Sequence, residues 1–488
     1  MDFSWTTVVS VWFGFEVLVR IAAFFVVPRN RKPTSATAWL LVIMLSPTLG
    51  LIAFILIGSP KLSKKRRADQ DYMDTVLQKA VLEAKNSPDS KKFIHDTVDT
   101  KYQPFVSLNN NLGKLPAFSG NSVQIISEYN DILKKIAEDI QSAKSFVHIE
   151  FFICVLDEET EVLFTAMEAA AHRGVKVRVL FDQIGNLRFP NSKAMKQRMT
   201  QAGIEWHAML PLRLPGKSYT RPDLRNHRKI AVIDGTTGYT GSLNIIKRNY
   251  HRKDALYYDE LMVRICGPVV TQLHGVFITD WYAETGELLS RKKHSEITFT
   301  PKSEGTVLAQ VLPSGPGYEF ENNLKLFNSL IYSAQKRVVI TNPYFVPDES
   351  LLAAVVTAAQ RGVEVIMLNS DIMDQKMVGH AQRSFYEQLL VAGVKIYWYP
   401  WPILLHSKHL TIDDEISVIG SSNFDIRSFQ LDLEVSLVVY DQATTNDLHK
   451  IENIYISRSK LVKLSDWHKR PQRSKLLDNL ARLTSALQ

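Results

Sequence analysis

The sequence predicts an α/β protein of two fused half-domains that share a central site, preceded by an N-terminal transmembrane hairpin. Three observations support this prediction: the same order of strand-like and helix-like segments occurs twice, both copies carry one polar motif, and two long apolar segments precede them. The apolar fraction of 45% and the charged fraction of 22% are typical of globular proteins, which argues against a disordered scaffold. At 488 residues, the chain is long enough for more than one folding unit.

The apolar segments at the N-terminus predict a membrane anchor. Ala38 to Gly58 contains no charged residue, and roughly 20 apolar residues are enough for a helix to cross a bilayer. Trp5 to Val27 carries Glu16 and Arg20, whose i, i+4 spacing puts them on one helix face, where they can pair. We therefore expect both segments to span the membrane.

Two alternatives remain open for this region. Pro47 and Gly50 interrupt the second segment, so a kinked or re-entrant helix would also fit. A signal peptide would fit less well, because no basic residue precedes the first segment and a second apolar segment follows at once. Five basic residues follow the second segment: Lys61, Lys64, Lys65, Arg66 and Arg67. Three lie between the two segments: Arg29, Arg31 and Lys32. This difference favours the side after the second segment as cytoplasmic. We expect a multi-pass protein of the cell inner or cytoplasmic membrane, with its catalytic part on the cytoplasmic side.

The chain divides into four predicted regions. Residues 1–60 form the two-segment anchor, and residues 61–105 a polar juxtamembrane linker with some helix around Tyr72 to Lys85. Residues 106–295 form the first half-domain, and residues 296–488 form the second half-domain with a basic C-terminal tail. The tail from about Ser457 either lies on the membrane surface or packs against the second half.

The duplication rests on three β-rich segments in each half, separated by helical stretches. In order, the first half has 146–153, 174–182 and 203–209, and the second has 338–346, 362–371 and 393–399. Apolar strands that alternate with helices are typical of an α/β fold with a largely buried sheet.

After its third strand, each half reaches an HxKx4D motif followed by GSxN, with identical spacing in both copies. The residues are His227, Lys229, Asp234, Ser242 and Asn244 in the first half, and His406, Lys408, Asp413, Ser421 and Asn423 in the second. A single copy would be weak evidence, since a structural histidine and a surface lysine explain it equally well. Two copies at the same place in a repeated fold favour a functional site.

Strand geometry divides the motif residues between two faces. His227 and Lys229 are two positions apart, so their side chains share a face, whereas Asp234 has the opposite parity and lies in an Asp-Gly turn sequence. Asp413 has the same offset from His406. We expect both aspartates to contribute indirectly, as turn or core anchors.

If the halves pack about a pseudo-twofold axis, two imidazoles, two ammonium groups and two asparagine amides meet in one pocket. Such a pocket suits a phosphodiester, whose non-bridging oxygens would be met by Lys229, Lys408, Asn244 and Asn423. No carboxylate cluster with metal-ligand spacing accompanies them, so we expect no metal and no cofactor.

The two histidines can divide the reaction between them. One would attack phosphorus, and the other would protonate the departing alcohol and deprotonate the incoming one. Each needs a partner to fix its tautomer, and a carboxylate begins the strand after each GSxN: Asp259 in one half and Glu434 in the other. An edge-strand charge or a helix cap is the alternative for both carboxylates.

These motifs resemble the phospholipase D superfamily and, more narrowly, the bacterial cardiolipin synthases. The resemblance covers nearly the whole chain, including residues 420–434 after the second motif and the interrupted apolar segment. It implies fused phospholipase D-like half-domains, condensation of two phosphatidylglycerol molecules into cardiolipin with release of glycerol, and His227 as the nucleophile. The near symmetry of the motifs leaves the choice of histidine open.

Other functions remain possible on the same residues. A phospholipase D hydrolase, or a phosphatidyltransferase that uses another alcohol, would need the same catalytic groups. The formal charge of +8 favours an anionic partner. Because the apolar hairpin puts the site beside lipid, we expect this partner to be anionic phospholipid (phosphatidylglycerol or cardiolipin) in a membrane. We do not expect nucleic acid, because the sequence lacks an aromatic-basic groove pattern. A membrane scaffold with a degenerate site is disfavoured by the intact motifs, and a homo-oligomer is compatible with the sequence.

Two further groups of basic residues are candidates for headgroup contacts. The loop at 211–226 carries Arg213, Lys217, Arg221 and Arg225, which would meet headgroups or be solvated. Arg427, just after the second GSxN, is a candidate phosphate contact. With only two cysteines in the chain, no disulfide framework is predicted.

Overall fold

A computed structural model describes residues 5–29, 31–59, 61–212, 219–250, 256–290 and 302–485. Arg213, Lys217 and the predicted boundary between residues 295 and 296 lie outside these ranges. The N-terminal region contains three helices: α1 (Trp5–Val26), α2 (Pro33–Leu45) and α3 (Pro47–Ile57). Thr7–Val26, within α1, is long and apolar enough to cross a membrane, and Arg20 Nη1 lies 3.5 Å from Glu16 Oε2, as the spacing predicts.

The second apolar segment is broken, so the prediction of one spanning helix over Ala38–Gly58 is wrong. Ser46 leaves the helical conformation, with φ −144° and ψ 88°, as expected for a residue before proline. A Cβ atom on Gly50 would lie 2.8 Å from Ile43 Cα, which shows that α3 folds back against α2. The interrupted form that Pro47 and Gly50 suggested is the one observed.

The linker is structured and packs against the catalytic part. Its elements are α4 (Lys64–Asn86), α5 (Pro88–Lys91), β1 (Ile94–His95) and α6 (Gln103–Gly113). The helix predicted around Tyr72 to Lys85 lies within α4. Arg66 pairs with Glu284, and the Tyr72 ring lies 5.3 Å from the Tyr282 ring, so α4 is held on the first half.

The first half alternates strands and helices, as predicted. Its elements are β2 (Ala117–Ile126), α7 (Tyr129–Ser142), β3 (Phe146–Phe151), α8 (Glu161–His172), β4 (Lys176–Asp182), α9 (Gln183–Leu187), α10 (Ser192–Gln201), β5 (Glu205–Met209), β6 (Arg225–Asn226), β7 (Lys229–Ile233), β8 (Thr237–Gly241), β9 (Tyr257–Asp259), β10 (Met262–Cys266) and α11 (Val270–Thr285).

The second half repeats this order and adds a helical tail. Its elements are β11 (Val307–Ser314), α12 (Asn322–Ser333), β12 (Arg337–Thr341), β13 (Phe345–Val346), α13 (Glu349–Gln360), β14 (Glu364–Ser370), α14 (Lys376–Val391), β15 (Lys395–Tyr399), β16 (Ile403–Leu405), β17 (His409–Ile412), β18 (Ile416–Gly420), β19 (Phe424–Asp425), α15 (Ile426–Gln430), β20 (Asp432–Tyr440), α16 (Gln442–Arg458), β21 (Lys460–Leu461), α17 (Leu464–His468) and α18 (Gln472–Arg482).

The two halves have the same strand order. In the first it is β5-β4-β3-β7-β8-β10-β2, with the first three strands parallel and each later neighbour antiparallel. In the second it is β15-β14-β12-β17-β18-β20-β11, with the same parallel and antiparallel pairs. Strands β2 and β11 pair antiparallel and join the halves. The predicted α/β duplication is therefore confirmed.

The core has one layer within each half and one layer between the halves. Val147 and Val179 of the first half belong to one apolar cluster, and Ile340 and Met367 of the second half belong to another. A third cluster contains residues of both halves, including Val263 and Leu437, and it fixes one half against the other. Helix α6 packs against the second half, because Phe105 and Val106 belong to that half's cluster.

Two short strand pairs cross from one half to the other. Strand β6, just before His227, runs parallel to the start of β20, and β16, just before His406, runs parallel to β9. Each motif histidine therefore lies beside a strand of the opposite half: β20 for His227 and β9 for His406.

Candidate active site

The crossing strand pairs bring both motif histidines to the boundary between the halves. The main-chain N–H of His227 donates to Leu433 O at 2.8 Å, and that of His406 donates to Asp259 O at 2.8 Å. His406 is 5% exposed, and the His227 side chain is 12% exposed. The charges of Lys408 and His406 act on His227, so the two motifs share one site.

Each histidine is held by a buried glutamate of the opposite half. His227 Nδ1 lies 2.9 Å from Glu434 Oε1, and His406 Nδ1 lies 2.8 and 2.9 Å from the two oxygens of Glu260. Glu434 is one of the two carboxylates that the sequence predicts as histidine partners. With Nδ1 engaged in both rings, Nε2 is the nitrogen left for chemistry.

The expectation for Asp259 is wrong, and its neighbour Glu260 has the predicted role. The carboxylate of Asp259 pairs with Arg248 instead, and only its main-chain carbonyl touches the His406 backbone. Since adjacent residues of an extended segment point in opposite directions, only one of the two side chains can face the histidine. The glutamate at the same offset from the apolar run in both halves was the signal that could have identified Glu260.

The GSxN serines fix these glutamates. Ser242 Oγ donates to Glu260 Oε2 at 2.6 Å, and the hydroxyl of Ser421 donates to Glu434. Each serine oxygen also accepts a main-chain N–H from the residue after its glutamate, at 2.9 Å for Leu261 and 3.0 Å for Val435. The serines thus orient the carboxylates that hold the histidines.

The two lysines lie beneath the histidines. Lys229 Nζ donates to His227 O at 2.6 Å, and Lys408 Nζ donates to His406 O at 2.8 Å. Burial lowers the pKa of Lys229 to about 7 and that of Lys408 to about 8. A bound phosphodiester anion would favour the charged form of both amines.

The electrostatics of the two histidine–glutamate pairs differ. Burial, followed by the charge of Lys229, lowers the pKa of His227 well below its ordinary value. Burial also lowers the pKa of His406, although Glu260 opposes the shift. Burial raises the pKa of Glu434 to about 7, whereas in Glu260 the charges of His406 and Lys408 outweigh burial and lower the pKa.

The motif aspartates lie at turns away from the histidines. Asp234 has φ 50° and Asp413 has φ 52°, in the left-handed region that Asn and Asp tolerate best among residues other than glycine. Asp234 accepts main-chain N–H groups of residues 144–146 at 2.8 to 2.9 Å, and Asp413 accepts those of residues 335–337. Their contacts join each motif turn to the segment that leads into β3 in the first half and into β12 in the second.

The GSxN asparagines are both buried. Asn244 is 3% exposed and Asn423 is 7% exposed. Within the described residues, the side-chain oxygen of each accepts no hydrogen bond, so the fold leaves part of each amide unused. That arrangement is compatible with amides reserved for a ligand.

Arg228, inside the first motif, has a structural role that the sequence did not suggest. It is 1% exposed, pairs with Asp280, and donates through Nε to the main-chain oxygen of Glu434 at 3.1 Å. Ser407 is its counterpart in the second motif. An arginine that is itself paired with Asp280 therefore holds the main chain of Glu434, the residue that contacts His227.

The arginines expected at headgroups have other partners. Arg225 is buried and donates to Asp182 at 3.2 Å, and Arg221 pairs with Asp223 and the main-chain oxygen of Ser59. Arg427 Nη2 donates to Asp223 O at 2.7 Å and to Asp432 at 3.2 Å. Because the charge of Arg427 lowers the pKa of His227, it borders the site.

The chain matches two protein-family models. The family described as "Cardiolipin synthase, PLD-like domain" matches residues 136–281 and 327–454, and "Phospholipase_D-nuclease N-terminal" matches residues 17–59. The crystal structure of phosphatidylserine synthase from Haemophilus influenzae Rd KW20 matches with a TM-score of 0.59 at 17% identity, covering 80% of this chain and 100% of that one, which supports the fold. Fold and motifs together define a two-motif phospholipase D-type enzyme.

The sequence relatives narrow that class. Cardiolipin synthase A of Pectobacterium carotovorum subsp. carotovorum (strain PC1) is 34% identical over 479 residues, covering 98% of this chain and 97% of the relative. Cardiolipin synthase A of Proteus mirabilis (strain HI4320) is 34% identical over 487 residues, covering 99% and 98%. The chain belongs to the bacterial cardiolipin synthase family of the phospholipase D superfamily and is a phosphatidyltransferase.

Proposed function

We propose that this enzyme converts two phosphatidylglycerol molecules into cardiolipin and glycerol through a phosphatidyl-histidine intermediate. The observation that carries the proposal is the crosswise pairing of His227 with Glu434 and of His406 with Glu260. Each pair fixes a ring through Nδ1 and leaves Nε2 to act on phosphorus or on a hydroxyl. The twofold repetition supplies the two roles that a double displacement requires.

In the first step, Nε2 of His227 attacks the phosphorus of the donor lipid. A P–N bond forms, the P–O bond to the terminal glycerol breaks, and Nε2–H of His406 gives its proton to the departing glycerol oxygen. The phosphodiester energy is kept in the P–N bond, so no ATP is needed.

In the second step, the terminal hydroxyl of another phosphatidylglycerol attacks the same phosphorus. His406, now neutral, takes the proton of that hydroxyl, a new P–O bond forms, and the P–N bond to His227 breaks. The products are cardiolipin and an enzyme in its starting protonation state. Water in place of the lipid hydroxyl would give phosphatidic acid.

The assignment of roles follows from the surroundings of the two histidines. Burial lowers the pKa of both histidines, but Glu260, which presents both oxygens to His406 and has a lowered pKa, stays ionised and opposes that shift. His406 is therefore the better placed of the two to carry the proton required of an acid. Burial and the charge of Lys229 hold the pKa of His227 well below its ordinary value, so this ring is kept neutral, which is the form required of a nucleophile.

Lys229 and Lys408 would neutralise the non-bridging oxygens, and Asn244 and Asn423 would hydrogen-bond them. The lysines donate hydrogen bonds to the main-chain oxygens of the histidines, so their ammonium groups are preorganised where charge develops in the transition state. Asp234 and Asp413 would act only by holding the motif turns in place.

The N-terminal region supports a membrane-embedded substrate. Helix α1 can cross a bilayer, and α2 and α3 form a folded-back pair beside it. We propose that α2 and α3 enter the membrane without crossing it as one helix, and that the catalytic part faces the cytoplasm, where the basic residues after α3 meet anionic lipid.

Incubation of the purified enzyme with labelled phosphatidylglycerol alone tests the reaction. The proposal predicts cardiolipin and glycerol in equal amounts. Phosphatidic acid as the sole lipid product would make the enzyme a hydrolase, and product formation only after another alcohol is added would assign a different acceptor. Unchanged rates in both His227→Ala and His406→Ala would refute the proposed mechanism.

A further inference from the structure

A cavity of about 310 Å³ opens beside the second motif, outside the pocket that holds the histidines. One wall is the N-terminal part of α14, with Lys376, His380 and Arg383, and the others include Asp371, Ile372 and Trp401. None of these residues takes part in the chemistry proposed above.

Three basic side chains converge on this cavity. Lys376, His380 and Arg383 follow the i, i+4, i+7 spacing that puts residues on one helix face. Within the described ranges Lys376 makes no hydrogen bond or ion pair, while Arg383 Nη2 donates to Asp371 O at 2.9 Å. The group has the charge and the donors to hold an anion with several oxygens.

His380 is oriented by the C-terminal helix α18. Its Nδ1 lies 2.7 Å from Asp478 Oδ1, and Asp478 is also bound by Arg470 at 2.6 Å. Since Asp478 engages Nδ1, Nε2 is the ring nitrogen left to meet a ligand. This histidine is therefore held through Nδ1 by a buried carboxylate, as His406 is by Glu260.

One layer of side chains separates the cavity from His406. Ile372 packs with Tyr258 and Leu404, and the edge of the Tyr258 ring meets the His406 ring with centroids 5.4 Å apart. Trp401 precedes His406 by five positions along the chain, which limits their Cα separation to about 18 Å. A ligand in the cavity would lie close to the general acid and base.

The surroundings of the cavity favour a lipid. Trp401 is 61% exposed, and four leucines in or just after α18 are 51 to 82% exposed: Leu476, Leu477, Leu480 and Leu483. An apolar surface beside a basic cavity is typical of contact with anionic lipid at a membrane. Free phosphate would bind the same basic groups but has no apolar part that could contact the leucines.

We propose that this cavity binds the phosphate of the acceptor phospholipid and so selects an acceptor that carries its own phosphodiester. This proposal rests on the function proposed above. In phosphatidylglycerol the attacking hydroxyl is joined to a phosphate by a glycerol backbone, so a phosphate held in this cavity, across Ile372 and Tyr258 from His406, limits where that hydroxyl can lie and directs it toward the ring. Glycerol has no phosphate and gains nothing from the cavity.

The distinction between the two acceptors provides the test. By reversal of the first step, labelled glycerol attacks phosphatidyl-His227: a P–O bond forms, the P–N bond breaks, and His406 takes the proton. The label then appears in phosphatidylglycerol. This exchange uses both histidines and the donor site but needs no acceptor phosphate, so it also reports on folding.

The full-length enzyme is assayed in phosphate-free buffer with vesicles of phosphatidylglycerol, with and without labelled glycerol. Lys376→Gln and Arg383→Gln are each expected to slow cardiolipin formation roughly tenfold or more, the loss of one charge-assisted hydrogen bond, while the exchange rate stays at the wild-type level. Lys193→Gln is the matched control, since Lys193 is an exposed lysine on α10, the helix at the corresponding place in the first half. It should change neither rate.

Three results would overturn the proposal. Equal loss of cardiolipin formation and exchange would place the residues in the donor step or in folding. No loss of either would show that the cavity takes no lipid phosphate. A loss that appears only when inorganic phosphate is added would assign the cavity to the free anion. If the wild-type enzyme gave neither cardiolipin nor exchange, the proposed function itself would fail.

Discussion

Replacing Glu260 by Gln tests the crosswise pairing of histidine and carboxylate. The carboxylate lies 2.8 and 2.9 Å from His406 Nδ1 and is buried. Glutamine keeps the shape but loses the charge that stabilises the imidazolium. A hydrogen bond to a charged group contributes about 1.5–3 kcal/mol, so kcat for cardiolipin formation should fall roughly 10- to 100-fold.

The neighbouring residue provides a matched control. Asp259→Asn alters a carboxylate that contacts Arg248 and leaves the carbonyl bonded to the His406 backbone in place. Its rate should stay within about twofold of wild type, as for substitutions away from the site. Initial rates of cardiolipin formation from phosphatidylglycerol, measured on variants of equal thermal stability, compare the two. Equal damage from both variants, or a wild-type rate in Glu260→Gln, would refute the pairing.

Three further predictions concern stability, pH and the membrane region. Asp234→Asn should lower the free energy of unfolding by about 2 kcal/mol, because one carboxylate accepts three main-chain N–H groups. The activity per folded molecule should change little. Thermal unfolding and specific activity measure the two effects, and lost activity at wild-type stability would contradict the anchoring role. The pKa values of about 7 for Lys229 and about 8 for Lys408 predict that kcat/KM falls as pH rises through this range, because uncharged lysines no longer attract a phosphodiester; a flat profile from pH 6 to 9 would contradict it. Gly50→Ala should destabilise the N-terminal region by about 1–3 kcal/mol, because the Cβ of the new alanine would lie 2.8 Å from Ile43 Cα. An unchanged melting temperature of the enzyme in lipid would contradict the close contact of α2 and α3.

Much of the catalytic part could be predicted from local patterns. Two-residue periodicity put His227 and Lys229 on one face, and the Asp-Gly sequence placed Asp234 at a turn. These are properties of a single strand and its turn, so the sequence alone determines them. The repetition of the motif then implied one shared site.

The histidine partners depend on contacts between distant segments and were harder to predict. The path from GSxN to the next strand is longer in the first half than in the second, so counting could not align Glu260 with Glu434. The pairing of β9 with β16 shows directly which carboxylate faces His406, whereas the clue in the sequence is that Glu260, like Glu434, immediately precedes an apolar run. Arg228 shows the same limit, since its role depends on Asp280 of α11.

The membrane region shows why apolar length is not sufficient to predict a spanning helix. The uncharged run from Ala38 to Gly58 satisfies the length criterion, but Pro47 disfavours a helical conformation at Ser46. Gly50 then allows α3 to approach α2 closely, as no larger residue would. Backbone restrictions at two positions decide between one spanning helix and a folded-back pair.

Trapping the covalent intermediate tests the central claim most directly. The wild-type enzyme is mixed with labelled phosphatidylglycerol, rapidly quenched, digested and analysed for the labelled peptide by mass spectrometry. The mechanism predicts a phosphatidyl group on His227 and no label in the His227→Ala variant treated in the same way. Label on a different residue, or steady cardiolipin formation by the wild-type enzyme with no labelled peptide at any quench time, would contradict it.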